Sequence, residues 1–258
     1  MAMAEHAVPG ATDGWWLRLY DDHLADLLLE RDAEPKDVVD FLIKRLDLRP
    51  GDLVFDQCCG IGSLAVPLAQ RGLAVVGCDL MPGYVRRAME KARAAGVAVD
   101  LRVADAFEHV PGRPCAGAFN WWTSFGHARD DATNLRMLRR AWESLAPGAR
   151  FALDTMNVPG VLRGFRAEVV TERDGTILTR HSRLDLDAGL LHKRWSYRFP
   201  GVDAVEHDST VRLYTPWELR ALLRAAGFMR VELLGGIDGQ PLTIDSPRCI
   251  AMATRSTG

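Results

Sequence analysis

The sequence predicts an α/β fold built on one mostly parallel sheet of seven strands, interrupted by an antiparallel insert. Three observations predict it. Short apolar runs of strand type alternate with amphipathic helical segments between residues 53 and 155. Residues 158 to 213 instead place β-branched and aromatic residues at alternating positions. The strand and helix rhythm then returns from Thr215 onward.

The elements follow in order. From Trp15 to about Glu30, the residues Trp16, Leu19, Tyr20, Leu24, Leu27 and Leu28 recur at helical spacing. Pro35 opens a second helix that runs to Leu46, with Val38, Val39, Leu42 and Ile43 on one face. After the turn Arg49-Pro50-Gly51-Asp52, the strand Leu53-Val54-Phe55 ends in Asp56. Helices are predicted at 63–71, 82–95 and 131–145, and strands at 73–78, 98–103, 116–122 and 149–155. The insert offers four strands, 167–173, 176–185, 190–199 and 204–213, with Asp174-Gly175 as the first hairpin turn. Thr215-Pro216 opens a last helix closed by Gly227, before strands at 229–234 and 248–254. Residues 1–48 then read as a helical lid, 49–157 and 214–258 as the α/β domain, and 158–213 as an insert that either caps a substrate or joins subunits.

Bulk properties narrow the partners. A chain of 258 residues that is 48% hydrophobic buries a core without help from disulfides or metal. The net charge of −2, from 32 basic and 34 acidic residues spread along the chain, leaves no footprint for nucleic acid or an anionic membrane. A small-molecule partner is the expectation, for a monomer or homodimer. Five cysteines, two of them adjacent at Cys58 and Cys59, suit a reducing cytoplasm. No export signal or membrane span is read, and His181, His192 and His207 lack metal-ligand spacing, so no metal site is expected.

The chemistry concentrates at Asp56-Gln57-Cys58-Cys59-Gly60-Ile61-Gly62, where a strand gives way to a helix and glycines let the backbone approach a ligand. Asp79 ends the second strand nineteen residues after Gly60, where a carboxylate can accept from both ribose hydroxyls of an adenosine. Asp105, followed by Ala106, ends the third strand, where it can accept from the adenine amine or cap a turn. The loop also satisfies the dinucleotide pattern, so an NAD-dependent oxidoreductase is an alternative. Charge separates the two. A pyrophosphate wants bare backbone donors, whereas a cationic sulfonium wants an acceptor such as Asp56.

These residues resemble the first motif of the class I S-adenosylmethionine (SAM)-dependent methyltransferases, an acid, three residues, glycine, any residue, glycine. The resemblance covers about residues 50 to 156 and implies a Rossmann-like fold with SAM as cofactor. It extends to Thr123-Ser124-Phe125-Gly126-His127, Arg212-Leu213-Tyr214-Thr215 and Asp238-Gly239-Gln240-Pro241-Leu242-Thr243, which are similar to segments of small-molecule methyltransferases. It departs at Gln57, Cys58, Ser63 and Asn120-Trp121-Trp122. The cofactor set it implies is Tyr20, Asp56, Cys58, Gly60, Gly62, Asp79, Leu80, Asp105, Ala106, Asn120 and Trp121.

Methyl transfer needs an acceptor lone pair aligned behind the methyl carbon, water excluded, and a proton removed. His127 is the candidate base, or else a residue that lines the pocket. Sugar-amine N-methyltransferases carry a histidine in a similar Ser-Ser-Ile-Gly-His segment. Trp16 and Trp122 are candidates for an aromatic acceptor site, with one of each tryptophan pair facing away. In the insert, Trp195, Tyr197, Arg212 and Tyr214 either cap the acceptor or form a subunit interface, and Arg180 and Arg183 are expected on a solvated face. The function expected is methylation of a nitrogen or oxygen, less readily carbon, of a small molecule in natural-product metabolism. The alternatives are NAD-dependent oxidoreduction or a SAM-binding protein that does not methylate.

Overall fold

The computed structural model describes residues 14–21, 24–25, 35–173, 175–199 and 204–257. The expected helical residues 22–23 and 26–30, and the turn residue Asp174, lie outside the described residues. The chain opens with α1 (Trp15–Leu19) and α2 (Lys36–Leu46). It continues through β1 (Leu53–Gln57), α3 (Ala65–Gln70), β2 (Ala74–Asp79), α4 (Pro82–Ala94), β3 (Asp100–Val103), β4 (Cys115–Asn120), α5 (Asp131–Ser144) and β5 (Leu145–Thr155). A short α6 (Val158–Arg163) leads into β6 (Glu168–Arg173), β7 (Thr176–Asp185), β8 (Leu190–Arg198) and β9 (Val205–Arg212). The chain closes with α7 (Pro216–Ala225), β10 (Phe228–Leu234) and β11 (Cys249–Arg255).

The seven-stranded sheet has the order β10-β11-β5-β4-β1-β2-β3, with β11 antiparallel to both neighbours. The insert forms its own antiparallel sheet, β6-β7-β8-β9. Alternation along each central strand explains the two covered faces. Phe55, Phe151, Leu153 and Met137 pack with Leu219 on the α5 and α7 side. Val54, Phe119 and Ala152 point the other way, onto Leu42 of α2 and Leu68 of α3. Helix starts are set by local chemistry. The Asp130 side chain accepts from Thr133 N–H at α5, and Thr215 with Glu218 makes a reciprocal capping box at α7.

Three details depart from the sequence expectation, the first being that the helix expected from Trp15 to about Glu30 ends at Leu19, where Tyr20 leaves helical geometry. The segment after β5 was expected to turn directly to strands, yet Pro159 in a first helical turn starts α6. Strand β5 begins at Leu145 rather than 149, because the Pro147-Gly148 stretch is absorbed by a register shift against β4. A third apolar cluster is formed by Trp15 and Leu19 of α1 with Leu178 and Tyr197 of the insert, so α1 is held by the second sheet. Among the described residues no helix is long and apolar enough to cross a membrane.

Candidate functional site

The strand order reverses between β4 and β1, and ligands of open α/β sheets bind where such a reversal opens a crevice at the carboxyl strand ends. A cleft of about 660 Å³ lies here, roofed by α1 and the insert. The loop after β1 enters it through three left-handed residues, Cys58 (φ 68°), Gly60 (φ 53°) and Gly62 (φ 77°). A Cβ at Gly60 would meet nothing within 4 Å, whereas one at Gly62 would stand 2.8 Å from Ala88 Cβ of α4. The first glycine leaves room on the cleft side, and the second lets α4 close against the loop.

Asp56 lines the cleft at 3% exposure. Burial, reinforced by the nearby Asp79 charge, raises its carboxyl well above the usual range, and no hydrogen bond or cation among the described residues opposes this. Asp79 is also raised by burial, but it accepts from the Gly60 and Met81 amides, each at 2.9 Å. These amides fix the carboxylate beside the loop. Asp105 lines the cleft too, and its Oδ1 accepts from Phe107 N–H at 2.8 Å, so it does serve as a turn cap.

His127 follows β4 and is covered by α1. The Trp15 ring meets it edge-on at 4.9 Å, Trp16 stacks at 6.3 Å, and Tyr20 lies at 5.7 Å with its hydroxyl 3.3 Å from Nε2. Burial beneath these rings lowers the imidazole pKa from 6.5 to about 4, partly offset by a hydrogen bond to the Thr123 backbone. The ring is therefore neutral at physiological pH.

The segment from β4 to His127 is shaped by an ion pair. Trp122 (φ 57°) and Thr123 (φ 65°) are consecutive left-handed residues. Trp122 N–H donates to Asp154 Oδ2 at 3.0 Å and Thr123 N–H to the Asp154 carbonyl at 3.2 Å. Arg248 clamps the same carboxylate at 2.7 and 2.5 Å and reaches Thr123 Oγ1 at 2.7 Å. Sequence reasoning missed this pair, because its members lie 94 positions apart, Asp154 on β5 and Arg248 just before β11.

The cleft gathers Trp16, Tyr20, Asp56, Cys58, Gly60, Asp79, Leu80, Asp105, Ala106, Trp121, Trp122, His127 and Trp195 of the expected residues. Five others do not line it. Gly62 is spent on helix packing. Asn120 is fully buried, donating to Gln57 Oε1 at 3.2 Å beneath the loop. Tyr197 is committed to the cluster under α1, where burial raises its phenol. Arg212 is paired with Asp131 and Glu218, and Tyr214 donates to Asp131 at 2.8 Å, so both bind α5 to α7 rather than facing an acceptor. Arg180 corrects the expectation in the other direction. It lines the cleft instead of a solvated face, while Arg183 is exposed. Its position two residues after Leu178 on the inward face was the available signal.

Residues 54–148 match a family described as a methyltransferase domain. The whole fold is similar to the CcbJ methyltransferase from Streptomyces caelestis, with TM-score 0.79 and 20% identity over 93% of this chain and 98% of that one. It is also similar to the sugar N-methyltransferase KedS8 from Streptoalloteichus sp ATCC 53650, with TM-score 0.68 and 24% identity over 99% of each. A shorter stretch of 113 residues is 34% identical to the S-adenosyl-L-methionine-dependent Diels-Alderase iccD from Talaromyces variabilis, covering 42% of this chain and 37% of that protein. The chain spans 13% to 37% of the length of the curated relatives it matches. The matched stretch contributes β1 to β4 and α3 to α5, the part of the cleft that carries Asp56, Asp79, Asp105 and His127. Those residues suit SAM: an uncompensated buried carboxylate at Asp56 answers a cationic ligand, and Gly60 leaves open room beside it.

Proposed function

We propose that this chain transfers a methyl group from SAM to a nitrogen or oxygen of a small molecule, with His127 as base or orienter. The observation that carries this reading is the buried Asp56 carboxylate, with no cation or donor among the described residues to answer it, at the crevice where the strand order reverses. The bound cofactor supplies a methyl already activated on a positive sulfur. Asp56 would hold the positive end, Asp79 and Asp105 the nucleoside, and Tyr20 would close the cleft from α1. Trp16 and Trp122 would bound the acceptor and exclude water, and neutral His127 would take the proton an amine or hydroxyl must lose. A cleft of about 660 Å³ suits a cofactor with a small acceptor beside it. Likeness to a sugar N-methyltransferase, and to an amino pentose methyltransferase involved in calicheamicin biosynthesis, supports a place in natural-product metabolism.

The test is ligand-dependent melting. S-adenosylhomocysteine and SAM should raise Tm while NAD leaves it unchanged, since only a ligand that prefers the native state stabilises it. Stabilisation by NAD alone would reject the reading. His127→Phe should then lower kcat sharply and leave S-adenosylhomocysteine affinity intact. The likeness to the Diels-Alderase favours one second reading, a SAM-binding catalyst that transfers no methyl. A panel of small amines, alcohols and phenols with radiolabelled methyl donor separates the two, because only the methyltransferase labels an acceptor.

A further inference from the structure

The roof of the cleft differs in charge from its floor. Asp56, Asp79 and Asp105 stand at or beyond the carboxyl ends of β1, β2 and β3. On the opposite wall, alternation along β7 and β8 brings Arg180, Lys193 and Trp195 to the inward face of the insert. Trp195 is fixed by its indole N–H, which donates to Ser209 Oγ at 2.8 Å. The Arg180 guanidinium lies 5.8 Å and the Lys193 ammonium 5.5 Å from the centre of its ring.

Neither cation has a carboxylate partner among the described residues. The other cations near the site do, Arg248 with Asp154 and Arg212 with Asp131 and Glu218. Arg180 donates through Nη2 to Thr171 Oγ1 at 3.1 Å, while its Nε is buried with no hydrogen-bond partner among the described residues. A buried guanidinium nitrogen left unpaired is costly, and two neighbouring cations repel each other. Lys193 shows the strain: burial first, and then the Arg180 charge, lower its pKa below the ordinary ammonium value. An anion between them removes both penalties at once.

We propose that the acceptor carries an anionic group, a carboxylate or phosphate, which binds between Arg180 and Lys193 beside Trp195. This deepens the small-molecule methyltransferase reading and rests on it. The acceptor then lies across the cleft, its anion on the insert and its nucleophile toward His127 and the methyl donor.

The probe pair is anilinonaphthalene sulfonate and its uncharged parent, phenylnaphthylamine, titrated by fluorescence into protein saturated with S-adenosylhomocysteine. The sulfonate should bind at least about tenfold more tightly than its parent, and Arg180→Met or Lys193→Met should each remove about tenfold of that preference while sparing the parent's affinity. Equal binding of the two probes by the unmodified protein, or a preference that both variants retain, overturns the proposal. Displacement then distinguishes the sources. Benzoate more effective than phenyl phosphate assigns a carboxylate, and the reverse order assigns a phosphate. Benzamide as effective as either anion, or no displacement by both anions, overturns it. Calorimetry with S-adenosylhomocysteine separates the two levels. No cofactor binding rejects the methyltransferase reading, whereas cofactor binding with charge-blind probes rejects only the anion site.

Discussion

Replacing Arg248 by methionine tests how the cleft wall is held. The Trp122-Thr123 turn places two non-glycine residues at φ 57° and 65°, and each such residue costs on the order of 1–3 kcal/mol. The β-branched Thr123 is the worse suited of the two. The turn persists because Asp154, whose side chain is 2% exposed, accepts from it and is neutralised by Arg248. Arg248→Met leaves that buried carboxylate without the cation that neutralises it. Breaking a fully buried pair costs roughly 3–5 kcal/mol, but Arg248 keeps 34% of its side chain exposed to the cleft, so about 2–3 kcal/mol is expected. Urea denaturation at neutral pH measures the loss. The cost comes from an orphaned charge, so Asp154→Asn in the same chain should restore at least about 1 kcal/mol of it. A loss under about 0.5 kcal/mol, or two substitutions whose costs simply add, would refute the reasoning.

Asp56→Asn should act in opposite directions on stability and binding. It removes a buried carboxyl that nothing among the described residues compensates, so Tm of the ligand-free protein should rise. SAM affinity, read by calorimetry, should fall by about 10- to 100-fold, the worth of one charge-assisted contact; equal affinity for the two proteins would contradict it. His127 sets a pH signature. Its folded pKa of about 4 lies below its unfolded value of 6.5, so the unfolded chain binds the extra proton between these values and stability falls as pH drops through that window. The loss reaches at most about 3 kcal/mol. Asp56 and Asp79, raised by burial, act with the opposite sign, so the comparison is between unmodified protein and His127→Phe in urea titrations from pH 7 to 4. The variant should lose less stability on acidification; parallel curves would sink the assignment.

The central sheet was legible because its inner strands are apolar on both faces and each crossover helix carries a single apolar stripe, as Val54, Phe55 and Leu42 illustrate. The four insert strands were legible from alternation, and the cofactor loop from Asp56, Gly60 and Gly62. What the sequence could not disclose were encounters between distant positions. Arg212 and Tyr214 look like acceptor ligands until α5 supplies Asp131, and Arg180 looks like a surface charge until the insert folds over the cleft. The Asp154 and Arg248 pair is set by the antiparallel register of β5 and β11, which no local pattern encodes.

The brevity of α1 has a consequence for acid–base chemistry. Trp15, Trp16 and Tyr20 hang on five helical residues and the cap that follows, a length that does not sustain a helix in water. Their seating depends on Leu178 and Tyr197 of the second sheet. Proton affinity at His127 is thus a property of docking: with the three rings seated, the imidazole is dry and weakly basic, and once they are displaced it regains the titration range of a solvated ring. Two stretches more than a hundred residues apart, neither of which supplies the imidazole, together govern how readily it picks up a proton.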